Sequence, residues 1–271
     1  MDPVTQGVLG AGAAALVAKS ENVRRALLAG CAGGMAPDLD ILLSSSHDPL
    51  LALELHRQFT HSLFFIPFGG ALVALVLWAL FYRKRAFWPI YLFTTLGYAT
   101  HGLLDSCTTY GTQLYWPFSH QRVAWDTIGI IDPLVTVPLL IAAALTAWRR
   151  SRAYMSAGLA CFILYMGFGA VQHNRAIEAA TAIAENRGHA VSRVKAMPTI
   201  GNVLVWRTLY ESEERYYVNA VRVGLTGDIT VFEGGSAEAL QVSRAFPWLS
   251  TSSVQYRDIE RFSWFSDNWL V

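Results

Sequence analysis

Residues 62–82 read SLFFIPFGGALVALVLWALFY, an apolar run without a single Asp, Glu, Lys, Arg or His. A helix needs roughly 20 such residues to cross the hydrocarbon of a bilayer, and this run supplies them. Three further long apolar stretches follow, Ala86–Leu104, Ile131–Trp148 and Ala153–Val171. Two weaker ones precede it: Val4–Ala18 is short and rich in Gly and Ala, and Arg25–Leu43 is interrupted by Pro37, Asp38 and Asp40. The expected fold is mostly α, a polytopic membrane helical bundle of four firm helices plus two short N-terminal helices packed against them. Composition agrees: 53% of the 271 residues are hydrophobic and 15% charged, where a soluble domain carries about 25%. Mean hydropathy is +0.32. A net charge of +1 gives no electrostatic footprint for nucleic acid. Asp2 stands where a secretory leader would be basic, so no cleavable signal peptide is expected. Cys31, Cys107 and Cys161 are odd in number and far apart, and read as small core residues rather than a disulfide framework or zinc knuckle.

The basic residues orient the bundle, because cytoplasmic loops carry an excess of Lys and Arg. Lys19, Arg24 and Arg25 separate the first two stretches, Arg83–Arg85 the third and fourth, and Arg149, Arg150 and Arg152 the fifth and sixth. Alternate crossings put all three clusters on one side, the cytoplasm. The N-terminus, the loops Ser44–His61 and Ser106–Ile130, and the chain after Gln172 are then outside.

The tail has another texture. His173–Asn186 has helical spacing at Ile177, Ala180 and Ile183. Val203–Leu209, Tyr216–Val223 and Ile229–Phe232 are rich in β-branched and aromatic residues between polar turns, and read as antiparallel strands. Ser236–Ala245 and Ser252–Phe265 read as closing helices. The expected division is a membrane domain over residues 1–172 and a small extracytoplasmic α+β domain over residues 173–271.

Six potential metal ligands fall in three short motifs: Pro37-Asp38-Leu39-Asp40, His56-Arg57-Gln58-Phe59-Thr60-His61-Ser62 and His101-Gly102-Leu103-Leu104-Asp105. In the last, His and Asp stand four apart, one turn above the other on a helix face. Although scattered over the chain, Asp38, Asp40, His61, His101 and Asp105 all lie at outer ends of apolar stretches. Ionisable groups near lipid are costly and mark function. The expectation is one shared site with Asp38, Asp40, His56, His61, His101 and Asp105 as ligands for one or two divalent ions. Mixed imidazole and carboxylate donors suit zinc first, or manganese or iron. Arg57 and Asp40 are the candidate catalytic residues, Arg57 as a clamp for phosphate or transition-state charge. Asp126 and Asp132 are candidate further ligands or supports of the ligand imidazoles, with a helix N-cap the simpler account of Asp132 ahead of Pro133. His47, His120, His173 and His189 are expected to be solvated. Tyr115, Trp116, Phe118 and Trp125 read as an interfacial aromatic belt.

Pro-Asp-x-Asp, His-Arg-x-x-Thr-His-Ser and His-x-x-x-Asp, followed by Tyr110-Gly111 and Trp116-Pro117, resemble the YdjM-like family over residues 1 to about 135. The resemblance implies a bacterial inner-membrane protein of a group described as metal-dependent hydrolases, with a more distant likeness to zinc-dependent phospholipase C. Many members carry Thr-His near the start, whereas this chain has Thr5-Gln6, which leaves Gln6 as a weak ligand or a supporting residue. The expected function is metal-dependent hydrolysis at the outer face of the inner membrane, on a phosphoester-containing lipid or other small amphiphile, with membrane lipids as partners. A structural metal site and a metal-ion transporter are the alternatives. No His-Glu-x-x-His and no Gly-x-Ser-x-Gly occurs, so neither the common zinc-protease nor the common serine-hydrolase signature is present.

Overall fold

Asp2 starts the first helix: its carboxylate accepts from the Thr5 amide at 2.9 Å, and Pro3 takes the first turn, where a missing N–H costs nothing. The structure, a computed structural model, describes residues 1–271. Its helices are α1 (Pro3–Val17), α2 (Val23–Met35), α3 (Leu51–Leu55), α4 (Ile66–Leu77, continued as a π turn through Tyr82), α5 (Phe87–Ser106), α6 (Pro133–Arg149), α7 (Ala153–Asn186), α8 (Val242–Ala245) and α9 (Val254–Phe265). Tight 3-10 turns at Ala36–Leu42 and Phe59–His61 carry the first two motifs.

α1 is the axis of the helical part. It buries every residue from Thr5 to Gly12 and packs against α2, α5, α6 and α7. Close approach depends on glycine. A Cβ on Gly97 of α5 would collide with the Gly30 carbonyl of α2, and one on Gly10 of α1 would strike that same carbonyl. Large apolar side chains point the other way: Leu72, Phe81, Trp88 and Leu164 are 62%, 71%, 72% and 73% exposed. Close approach at small residues, under an exterior that keeps many large apolar side chains, is a pattern seen where helices pack in lipid, although Leu139 and Met155 are also buried inside.

By length and composition one helix, α7, can cross a membrane, or two if Leu51–His61 and Ile66–Tyr82, bent by 87°, are taken as one broken span. That is fewer than the four firm crossings expected from the sequence, and the reasons are local. The run 62–82 does not begin as a helix, because the Ser62 hydroxyl donates to the Phe59 carbonyl and holds a turn ahead of α4. α6 is apolar but has only 17 residues, about 26 Å of helix. α5 is long enough at 20 residues, but Thr94, Thr95, Thr100, His101 and Asp105 dilute it.

All three basic clusters nonetheless meet at one end of the bundle. Arg24 donates to the Ala147 carbonyl at 2.7 Å and Arg152 to the Leu16 carbonyl at 3.0 Å. Arg25 and Arg85 line one cavity. The three ligand motifs are at the opposite end.

α7 runs unbroken for 34 residues, about 51 Å, so residue 172 falls inside a helix. Its second half carries Ala176 and Ala179 onto an antiparallel sheet, where they pack with Ala196, Val203, Trp206, Val221 and Val223. The strands are β1 (Arg193–Pro198), β2 (Val205–Ser212), β3 (Arg215–Val223), β4 (Ile229–Phe232) and β5 (Ser236–Glu238), paired in the order β1-β2-β3-β4 with β5 also on β3. β1 was not expected from the sequence. The helix expected over Ser236–Ala245 is replaced by β5 and the short α8. β4 covers only Ala220–Val223 of β3, and the free edge at Arg215–Tyr217 takes up Ser236–Glu238 in ladder register. α9 has no buried residue. Cys161 is exposed rather than in a core.

Candidate metal centre

The site is assembled from three places that the fold forces together. α2 ends at Met35, and Pro37 in the following 3-10 turn projects Asp38 and Asp40. The turn Phe59–His61 is pinned from α5, where the Tyr98 hydroxyl donates to the Thr60 carbonyl at 2.8 Å. α5 itself presents His101 and Asp105 on one face. Gly102 between them lets the His61 backbone lie against the helix, since a Cβ there would clash with the His61 carbonyl.

Four groups converge: Asp38, His61, His101 and Asp105 each offer an atom within 4.8 Å of all the others. Nε2 of His61 and Nε2 of His101 are 2.9 Å apart. Asp38 Oδ1 is 3.5 Å from the first and 3.3 Å from the second, and Asp105 Oδ2 is 3.3 Å and 3.5 Å from them. Four donors tetrahedrally placed at zinc bond lengths are separated by about 3.3 Å, so the spacing fits one ion.

Proton bookkeeping points the same way. His101 Nδ1 lies 2.6 Å from the Gly34 carbonyl, which only accepts, so Nδ1 carries the proton and Nε2 turns a lone pair inward. His61 Nδ1 faces the Asp40 carboxylate at 3.3 Å and the Thr60 hydroxyl at 2.9 Å, which assigns its proton to Nδ1 as well. With both imidazoles neutral, two lone pairs and two carboxylate oxygens face one another, an arrangement that a cation completes. Asp105 Oδ2 is buried with no well-aligned hydrogen-bond donor. Such an all-acceptor cluster is complementary to a cation, and Asp38, His61, His101 and Asp105 can hold a metal ion.

The other predicted ligands stand behind these four. Asp40 takes His56 Nδ1 at 2.7 Å, the Thr60 hydroxyl at 2.7 Å and the Arg57 amide at 3.1 Å. It orients His61, the usual role of a carboxylate behind a metal-bound imidazole, and with so many donors on it Asp40 is not placed as a free base. His56 holds Asp40 rather than joining the four. Arg57 adopts a left-handed backbone (φ 65°) that turns its amide toward Asp40. Its buried guanidinium lies 3.1 Å from Asp105 Oδ2, donates to Thr108 at 3.0 Å and stacks 4.5 Å over Tyr110. Gln6 donates to Asp105 Oδ1 at 2.9 Å, so its amide nitrogen, not its oxygen, faces the site. The Met1 ammonium contacts that same oxygen.

Asp132 and Asp126 lie outside the group. Asp132 caps α6 through the Leu134 amide at 3.0 Å and accepts the Tyr165 hydroxyl at 2.6 Å. Asp126 faces Lys195 of β1 at 3.7 Å; burial pushes its carboxyl up to about 6 against the pull of that lysine. His189, expected to be solvated, packs on Tyr210 and Tyr217, and His173 lies against Trp206. Sequence reading did not pick out Thr60, Thr108 or the Gly34 carbonyl. Thr60 sits inside the His-Arg-x-x-Thr-His motif and was within reach; a backbone carbonyl carries no residue signature.

Residues 1–176, which contain Asp38, His61, His101, Asp105 and the residues that support them, match the family described as YdjM inner membrane protein. The chain belongs to that family. The YdjM match ends inside α7, so the sheet domain lies beyond it. A Bacillus subtilis (strain 168) protein, "Uncharacterized protein YfhP", is 27% identical over 192 residues, 71% of this chain and 57% of its own length. The chain thus spans little more than half of that relative. No solved structure matches this YdjM protein.

Proposed function

We propose that this protein is a multi-pass, metal-dependent hydrolase of the bacterial inner membrane, acting at the outer face on a phosphoester in a lipid or other amphiphile. The observation that carries the reading is the convergence of two inward imidazole lone pairs and two carboxylates at the end of the bundle away from every basic cluster. The positive-inside rule turns that separation into a side: basic end in the cytoplasm, ligand end outside. In such an arrangement α4, α5 and α6 cross with α7, α4 as a broken span. Zinc is the first choice of metal, with manganese or iron next, because the donors are imidazole and carboxylate without thiolate.

When bound, such an ion supplies Lewis acidity and lowers the pKa of water toward neutrality. The chain's own residues prepare for that chemistry. Asp40 keeps the His61 proton on Nδ1, and the Gly34 carbonyl does the same for His101. Arg57 balances Asp105. Asp38, whose side chain is 24% exposed while the other three are shielded, marks the side from which a substrate reaches the cluster.

One feature favours a second reading. Four protein donors are the full set of a structural zinc site, whereas catalytic sites keep a position open. Against it, structural sites are built mainly from cysteine, and no cysteine is among these donors. Full-length protein purified in detergent decides between them by metal analysis and by turnover of bis(p-nitrophenyl) phosphate and phospholipids. Stoichiometric metal and turnover, both lost in His61→Ala, support the enzyme. Metal without turnover supports the structural site, and protein that binds no divalent metal at all sinks both.

A further inference from the structure

Beside the metal cluster, a cleft of about 850 Å³ runs between the outer loop Thr109–Ile130 and the C-terminal domain. It is lined by Arg122 from the loop, Lys195 and Arg207 from the sheet, and Asp126, with Trp264 and Phe265 of α9 as an apolar wall. Lys195 is paired with Asp126 at 3.7 Å, and Arg122 and Arg207 stand against Asp267, so the cleft keeps a net positive charge that suits an anion. Two of its polar groups are incomplete within the protein. Arg122 donates through Nη2 to the carbonyls of Tyr110 (2.6 Å) and Gly111 (3.1 Å), while its Nη1 has no partner. Asp126 is 5% exposed, and its Oδ1 has no partner either. Buried donors and acceptors are almost always paired, and one orphan of each kind stands just behind the wall of this cleft, closed to solvent, where a ligand that displaces part of the wall supplies both an acceptor and a donor.

The cleft also communicates with the metal cluster. Tyr110 carries Arg57 at 4.5 Å and Arg122 at 5.0 Å from its ring centre, so one ring packs against the arginine on Asp105 and the arginine of the cleft. Phe265 in turn meets Tyr110 at 5.1 Å and Arg122 at 4.7 Å.

We propose that this cleft binds a phosphate-bearing headgroup, with the phosphate on Arg122, Lys195 and Arg207 and a hydroxyl of the headgroup donating to Asp126. The assignment rests on the functional reading above and names the part of the substrate that the protein grips while the metal cluster addresses the scissile bond. Arg fits the task because its planar fork matches phosphate geometry.

The test is calorimetric binding to the full-length protein in detergent, using glycerol 3-phosphate and lysophosphatidic acid as probes. Binding of both assigns recognition to the phosphate and its hydroxyls; binding of lysophosphatidic acid alone assigns it to a lipid headgroup with its chain. In either case Arg207→Gln with Lys195→Gln weakens binding about tenfold or more, and Asp126→Asn weakens it less. Arg207 is exposed, so Arg207→Gln alone keeps the test valid if the double variant fails to fold. Binding of neither probe, or binding unchanged by these substitutions, overturns the proposal. Metal content is read on the same samples: a metal-loaded protein that ignores both probes removes the headgroup site alone, whereas a protein without metal removes the hydrolase reading.

Discussion

Around α1 the closest helix approaches are made at Gly10, Gly30 and Gly97 and the polar Thr5 and Gln6 are buried, while Leu72, Phe81 and Leu164 face outward. Under the β-sheet the order is reversed: Trp206, Val221 and Val223 are fully buried and Arg207 and Arg222 face out. Under the multi-pass arrangement proposed here, the difference is one of solvent. Between helices in lipid no hydrophobic force acts, so association depends on close backbone approach and polar bonds. In water, removal of apolar surface is the dominant drive. α7 belongs to both regimes, and the ligand cluster forms where the first gives way to the second. There closely packed helices hold polar side chains together, and Asp38 is partly exposed.

Two substitutions test whether these really are two cores. His101→Ala removes a ligand, strips the Gly34 carbonyl of its donor and leaves Asp38 and Asp105 facing each other beside a single imidazole. Breaking a buried charge cluster by removing a partner costs about 3–5 kcal/mol, and loss of bound metal adds to it. The expected outcome is loss of metal and a large fall in the unfolding midpoint in detergent, with the protease-resistance pattern of residues 190–271 retained. Trp206→Ala, about 3–5 kcal/mol for a large aromatic in a packed core, should do the converse, opening the sheet to protease while metal content holds. If each variant damaged both regions equally, the molecule would have one core, and the contrast above would be false.

How much of this was legible in the chain divides along the same line. The membrane character was readable because lipid demands long apolar runs, and the run 62–82 states it openly. Its 87° break was not, because that depends on the Ser62–Phe59 turn and on contacts from α5. At the site, His61, His101, Asp38 and Asp105 were picked out by type and by their place at helix ends. Their division from Asp40 and His56 was hidden, since both kinds of residue occupy the same motifs and differ only in which atom points where. In the tail, β3 and β4 followed from Val, Tyr and Ile spacing. Ser236–Glu238 was misread because strand pairing with Arg215–Tyr217 overrides the local preference of Ser-Ala-Glu.

Asp126 sits at the join between the two regions and gives a pH-dependent test of it. Its carboxyl is raised to about 6 in the folded protein by burial, against about 3.9 in an unfolded chain. A raised acid favours folding while protonated, so this contribution is fully present below about pH 4 and is lost as pH rises through 6. The linkage amounts to about 2–3 kcal/mol. Relative to wild type, Asp126→Asn should therefore gain stability as pH is raised from 4 to 7 and show no relative gain below 4. Urea titrations of both proteins at four pH values in detergent measure it. A difference that stays flat across the range would mean that Asp126 is solvated, and that the loop and the sheet do not close over it.

The smallest effect is expected at α9, and it asks how the tail is fastened to the ligand end. α9 has no buried residue, and beside the contact of Phe265 with Tyr110 it is held laterally by charge. The Arg261 guanidinium contacts Asp48 at 2.9 Å and Glu54 at 2.5 Å, both in the segment leading to His56, and Asp258 on its own helix at 3.1 Å. These groups are partly exposed, so the network contributes little and fades as ionic strength rises above about 0.1 M. Arg261→Gln should barely move the unfolding midpoint. It should raise amide exchange over residues 48–56 at low salt and leave exchange unchanged at high salt, where the wild type has already lost the attachment. Arg261→Lys, which keeps the charge without the fork, should fall between. If exchange over 48–56 is the same in all three proteins, α9 is fastened through Phe265 on Tyr110 instead. The tail would then reach the ligand end through an apolar contact that salt does not loosen, and the polar attachment would be incidental to how the two regions meet.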